Sequence, residues 1–288
     1  MPPPQSLPVS SRPPEGRPVR SGFLGKRLGW TRSSYAMMSV FAAVLALIMV
    51  VWWPLVQQYF ASYNPAYPFW VQTDWLLLGI FLVMSLLIMA GADLKSDTWI
   101  VVVGLAGGLV IESWGTRTGL WSYFTGERPP LWIIPAWPVA SLAIDRLVRF
   151  LKRLPWLPNR AGQAVYWLIF LSFYISLLSF VRPTWGNPLT WMALLAVALI
   201  VLSPGDHRLA VLNFIAGSAL GYFLEVWGTT RGCWAYYTLQ TPPPFAVFAH
   251  GLAAMAFWRA GLILAHYRAR LLRAIPSPSW VRKGLDLP

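Results

Sequence analysis

Glu112 and Glu225 are the residues of this chain that most plainly invite chemistry, because each is a carboxylate at the end of an apolar run. They open two related phrases, ESWGTRTGLWSY at 112–123 and EVWGTTRGCWAY at 225–236. Glu, Trp, Gly, Thr, Gly, Trp and Tyr recur in the same order at a constant offset of 113 residues. An ionisable side chain inside a membrane span is costly and marks a functional site by default. A pair of such acids can donate a proton or anchor a cationic group, so Glu112 and Glu225 are the candidate catalytic residues. A structural reading explains the repetition equally well, with each carboxylate tying down the amides of its own WGT loop.

The aromatic residues of the two phrases carry the same ambiguity. Trp114, Trp121 and Tyr123, with Trp227, Trp234 and Tyr236, suit an aromatic pocket whose ring faces stabilise positive charge. Trp and Tyr also gather at membrane interfaces as a belt, and most of the 18 tryptophans lie near the ends of apolar runs. His250 stands where the first copy has Trp137, which breaks the symmetry and adds it to the candidate binding residues.

The match extends beyond the phrases without a gap. Gly104 and Gly108 align with Gly217 and Gly221, Asp93 with Asp206, and Arg146 with Arg259. Gly104, Gly108 and Glu112 are four residues apart, a step of about 40° on a helix, and so share one face. Gly217, Gly221 and Glu225 do the same. Small residues at this spacing let helix backbones approach closely in lipid. The spacing predicts inward-facing acids, with Gly115 and Gly228 as the helix C-caps that release an aromatic loop. Asp93, Arg146, Asp206 and Arg259 are assigned structural roles, each Arg pairing with the Asp of its own copy. Asp206 and Asp97 also suit helix caps.

The elements that position these residues follow from composition. The chain has 288 residues, 57% hydrophobic and 11% charged, against about 25% charged in a soluble domain. No charge occurs between Arg32 and Asp74. Apolar runs at about 36–53, 75–91, 98–114, 131–150, 164–182, 188–204, 208–227 and 244–266 predict an all-α integral membrane protein. About eight transmembrane helices are expected, or six or seven if a short run is re-entrant. They form two four-helix repeats, 35–151 and 164–266. An even number of spans per repeat makes the halves parallel, with the candidate site between the third and seventh spans. A disordered, basic, Pro-rich tail (1–34), a basic linker (152–163) and a basic C-terminal tail (267–288) complete the chain.

The bases cluster in those three segments, while Arg117, Arg128, Arg182 and Arg231 are the few on the other side. The asymmetry predicts cytoplasmic N- and C-termini, a multi-pass protein of the cytoplasmic membrane, and WGT loops facing outward. The formal charge of +13 is thereby a matter of orientation and anionic lipid. It does not point to nucleic acid, since no basic stripe with groove-reading residues is present. One cysteine, Cys233, and three scattered histidines exclude a disulfide framework and offer no metal cluster. No cofactor is expected.

A Glu, then a Gly, then G-x-x-x-Y near a span end, with downstream Pro, resembles membrane carotenoid-modifying proteins of the carotenoid hydratase type. More loosely it is similar to heterodimeric-type lycopene cyclases, and to uncharacterised bacterial inner-membrane families. The resemblance covers Glu112–Tyr123 and Glu225–Tyr236. It implies acid catalysis on a polyene: Glu112 or Glu225 protonates a double bond, Trp and Tyr faces stabilise the cation, and water or an internal alkene captures it. Two other classes stay open. One is a proton- or cation-coupled transporter gripping its cargo between the glutamates. The other is a membrane scaffold whose basic tails contact anionic lipid. Membrane lipid, a lipophilic small molecule and neighbouring membrane proteins are the partners these readings admit.

Overall fold

The computed structural model describes residues 29–153, 159–203 and 205–274. The expected tails at 1–28 and 275–288 and the middle of the expected linker lie outside the described residues. In chain order the helices are α1 (Arg32–Val51), α2 (Trp53–Ala61), α3 (Phe69–Gln72), α4 (Trp75–Met89), α5 (Leu94–Thr118), α6 (Ala136–Leu151), α7 (Asn159–Phe180), α8 (Pro188–Leu202), α9 (His207–Thr230) and α10 (Pro244–Ala274). Two three-residue strands, β1 (Trp121–Tyr123) and β2 (Trp234–Tyr236), interrupt this all-α architecture.

Five helices, α1, α5, α7, α9 and α10, are long and apolar enough to cross a membrane, which makes the chain a multi-pass membrane protein. Helices α4 and α8 are apolar but 15 residues long, about 22 Å at 1.5 Å per residue against a hydrocarbon core of about 30 Å. Helix α6 has 16 residues, fewer than its expected run, because 131–135 is turn. Large apolar side chains cover the outside of the bundle, among them Leu82, Val110, Leu168 and Met192, each more than 60% exposed. Surfaces of this kind belong against lipid.

The helix boundaries have local causes. Asp74, Asp93, Asn187 and Asp206 each accept a backbone N–H of the first turn of α4, α5, α8 and α9. Helix α1 starts at Arg32, inside the expected tail, with Ser34 Oγ accepting from Thr31 N and donating to Met89 O. Pro54 opens α2 and breaks the first apolar run at Trp52. Helix α7 begins at Asn159 and α10 runs on to Ala274, past both expected boundaries.

Gly115 and Gly228 are not the helix ends. Helix α5 stops at Thr118, where Gly119 adopts φ 75° as a left-handed cap, and α9 ends at Thr230 before Gly232 at φ 67°. A left-handed glycine terminates a helix, whereas Gly115 and Gly228 lie within one and serve packing.

Strands β1 and β2 pair antiparallel with Trp121 opposite Tyr236, Ser122 opposite Ala235 and Tyr123 opposite Trp234. Phe124 N donates to Cys233 O at 3.2 Å and Tyr237 N to Leu120 O at 3.1 Å, extending the pairing at both ends. The two loops also exchange core residues. Leu120, fully buried, belongs to the apolar cluster of α7, α8, α9 and α10. Cys233 and Trp227 belong to the cluster of α1, α4 and α6. Each loop therefore buries a side chain among helices other than the two it connects.

Candidate functional site

The two glutamates sit at the loop end of α5 and α9, 3% and 2% exposed. The glycines one and two turns before them face the next helix of the chain. A Cβ on Gly104 would lie 2.8 Å from the Pro138 backbone, and one on Gly217 2.7 Å from the carbonyl of His250. A Cβ on Gly108 or Gly221 would fall inside the side chains of Trp137 or His250. The expected close approach is present, between α5 and α6 and between α9 and α10, and it brings Trp137 and His250 against the carboxylates.

Gly115 and Gly228 have a different task. The six-membered rings of Trp121 and Trp234 occupy the space a Cβ would take there, 1.9 Å from it. Glycine thus lets each loop tryptophan lie on its helix, and the indole N–H reaches the glutamate one turn earlier.

Each carboxylate is caged by aromatic donors. Glu112 Oε2 accepts from Trp121 Nε1 at 2.9 Å, and Oε1 accepts from Tyr123 Oη at 2.8 Å and Trp137 Nε1 at 3.2 Å. Glu225 Oε2 accepts from Trp234 Nε1 at 3.0 Å and Oε1 from Tyr236 Oη at 2.8 Å. The third partner of Glu225 is His250 Nε2, at 2.8 Å from Oε1. Thr116 and Thr229 each bond the carbonyl of the glutamate in their own helix at 2.6 Å. The cages touch across the strand pair, with Trp121 on Tyr236 at 6.0 Å and Tyr123 on Trp234 at 5.9 Å between ring centroids. The two unlike partners also meet, Trp137 stacking on His250 at 5.9 Å and 18°.

Burial, reinforced by the neighbouring carboxylate, pushes the Tyr123 and Tyr236 hydroxyls well above the usual tyrosine range. Both remain protonated donors at physiological pH. Indole N–H groups can only donate, so the donor set around Glu112 is matched to an acceptor-only carboxylate. Imidazole can donate or accept, so His250 can hold a proton for Glu225 or take one from it.

A cavity of about 610 Å³ opens beside the cages, lined by both glutamates, Trp121, Tyr123, Trp137, Trp234, Tyr236, His250 and many aliphatic side chains of six or more helices. Trp114 and Trp227 line it too but bond neither glutamate. The Trp114 indole nitrogen is buried with no hydrogen-bond partner among the described residues, and the ring packs edge-on against Trp121. The Trp227 indole donates to Asp74 Oδ2 at 2.9 Å and stacks on Trp52 at 4.9 Å, while Arg231 pairs with the same Asp74 oxygen at 3.1 Å.

The expected pairing of each Arg with the Asp of its own copy is not what forms. Arg146 Nη2 meets Asp97 at 2.5 Å and Nη1 meets Asp145 at 2.6 Å, because Asp93 is occupied as the N-cap of α5. Asp97 faces inward and is fully buried, its Oδ2 also accepting from Asp93 N. Arg259 bonds carbonyls at the end of α8 and leaves Asp206 to cap α9.

The sequence reading missed Trp137, Asp74 and Trp52. Trp137 had a signal, its alignment with His250; Asp74 and Trp52 had none. Among the described residues no three His, Cys, Asp or Glu side chains gather to hold a metal. Comparison with protein-family models, curated proteins and solved structures finds no match.

Proposed function

We propose that this protein binds a lipophilic, isoprenoid-like molecule in the central cavity and exchanges a proton with it through Glu225 and His250. The observation that carries this reading is an apolar cavity of about 610 Å³ bordered by a buried carboxylate bonded to an imidazole. The volume lies within the range of small-molecule sites, and an apolar wall with a few convergent polar groups is their usual make-up.

In this reading the two carboxylates do different work. Glu112, held by three donors, shapes the site. The Glu225–His250 pair carries a mobile proton. Protonation of an alkene by Glu225 leaves a carbocation over the Trp and Tyr faces. Addition of water then returns one proton to the pair, so that the net change is hydration of the double bond. The resemblance to carotenoid-modifying proteins supports this direction.

The architecture that goes with this reading is eight helices in two parallel four-helix halves, α1, α4, α5 and α6 followed by α7, α8, α9 and α10. Pairing of β1 and β2 about Ser122 and Ala235 suits a pseudo-twofold axis along the membrane normal. The short α4, α6 and α8 would need local bilayer thinning. The charge asymmetry of the basic segments supports cytoplasmic termini and a place in the cytoplasmic membrane.

The test is to purify the protein in mild detergent, extract it with organic solvent and record absorbance and mass spectra beside Glu225→Gln. Wild type should release a polyene or isoprenoid, and the variant the unmodified precursor. Bulk phospholipid alone in both extracts overturns the reading.

A further inference from the structure

The end of the bundle away from the glutamates holds a second asymmetry. Arg146 is 5% exposed and is neutralised by Asp97 and Asp145. Arg259 is 3% exposed, yet among the described residues no carboxylate pairs with it. The reason is visible in register. Asp97 lies four residues after the N-cap Asp93, and four residues after the N-cap Asp206 stands Ala210, equally buried. Asp145 precedes Arg146, whereas Trp258 precedes Arg259. Both neutralising acids are missing.

What remains around Arg259 engages the Nη1 group of its guanidinium. Nη1 donates to the Ile200 carbonyl and, at 2.9 Å each, to the carbonyl and hydroxyl oxygens of Ser203. These are groups at the C-terminal end of α8, where partial negative charge collects. The Tyr166 ring lies 5.2 Å from the guanidinium carbon. Among the described residues Nε and Nη2 have no hydrogen-bond partner. They form the edge with which arginine grips a carboxylate or phosphate through two parallel N–H bonds. Over that edge lies Gly205, an exposed residue whose absent Cβ would stand 3.4 Å from Nε and 3.5 Å from Nη2. A buried cation without a counter-charge is expensive.

We infer that Arg259 is an anion site, at which a phosphate-type group enters beside Gly205 and takes the place Asp97 takes at Arg146. The group comes from an anionic lipid head or from free phosphate, since both present the same oxygens.

The experiment follows the melting temperature of the full chain in neutral detergent, with added phosphatidylglycerol, phosphatidylcholine or inorganic phosphate. A ligand bound only by the folded protein raises the melting temperature with the logarithm of its concentration. Wild type should respond to phosphatidylglycerol or inorganic phosphate, whichever is the source, and more weakly to phosphatidylcholine. Ala210→Asp supplies the missing carboxylate and should abolish that response while raising the melting temperature of the anion-free protein. Arg259→Gln should abolish it without that gain. A wild type indifferent to both anions overturns the inference whether or not either variant folds, and so does an Ala210→Asp protein that folds and keeps the full response.

Discussion

The cages around Glu112 and Glu225 are built from the same parts and differ in one side chain. Both use an indole and a phenol from the loop that follows, laid over a glycine, and both set the carboxylate at the edge of one cavity. The third partner is Trp137 at Glu112 and His250 at Glu225. An indole can only give a hydrogen bond; an imidazole can give or take one. That single difference separates a carboxylate whose partners demand an acceptor from one whose partner can exchange a proton.

Truncating the acids breaks this comparison most severely. Glu112→Ala orphans three donors, the buried Tyr123 hydroxyl and the half-buried indoles of Trp121 and Trp137, at about 1–3 kcal/mol for a buried donor and less for a half-buried one, so a loss on the order of 3 kcal/mol is expected. Glu225→Ala orphans two, because His250 can change tautomer, and should lose less. Glutamine sharpens the contrast. At Glu112 its NH2 group must face an indole N–H in either orientation, so Glu112→Gln should lose about 1–3 kcal/mol. At Glu225 the amide oxygen can accept from Trp234 while NH2 donates to His250 and Tyr236. Glu225→Gln should therefore stay within about 1 kcal/mol of wild type. Denaturant unfolding in detergent reads all four; equal losses for the two glutamines would sink the distinction.

Where the two cages are alike, equal damage is expected. An alanine methyl at Gly115 or Gly228 would sit 1.9 Å from a tryptophan ring, a clash that displaces the indole from its glutamate. Overpacking of this kind costs about 1–3 kcal/mol. Gly115→Ala and Gly228→Ala should lower stability alike, with a tryptophan fluorescence shift in both. A harmless substitution at either position would mean that the ring does not need the glycine.

These glycines also mark how far the sequence could be read. Their repetition pointed to the site, because helix spacing puts Gly104, Gly108 and Glu112 on one face without any tertiary knowledge. Their role was misread, since a glycine near a helix end signals a cap as readily as a packing contact. The left-handed Gly119 that does end α5 lies only four residues on. Partners close in sequence, such as Trp121 and Tyr123, were named together with Glu112. Those set by the docking of other helices were not: Trp137 reaches Glu112 from α6, and Asp74 holds Trp227 across 153 residues. The arginines failed for a related reason, because Asp93 and Asp97 are equally plausible in sequence and only the inward face of α5 chooses between them. Span number is the hardest, since apolar runs at 75–91, 131–150 and 188–204 fold as helices of 15 or 16 residues.

The smallest difference between the two loops is Leu120 against Cys233, each buried in the cluster on the far side of the strand pair. The Cys233 side chain is 1% exposed and its burial pushes the thiol up to about 12. A thiol raised above its unfolded value contributes stability that is whole below about pH 8.5 and is lost as pH climbs toward the folded value. Two results should follow. Maleimide labelling of the native protein at pH 8 should be far slower than labelling after denaturation. Cys233→Leu, which makes the loops alike but adds volume to a packed cluster, should lower stability by about 1–3 kcal/mol at pH 7 and flatten its decline between pH 9 and pH 11. Rapid native labelling would place the thiol at the surface, and the exchange of core residues between the loops would then be wrong at its second half.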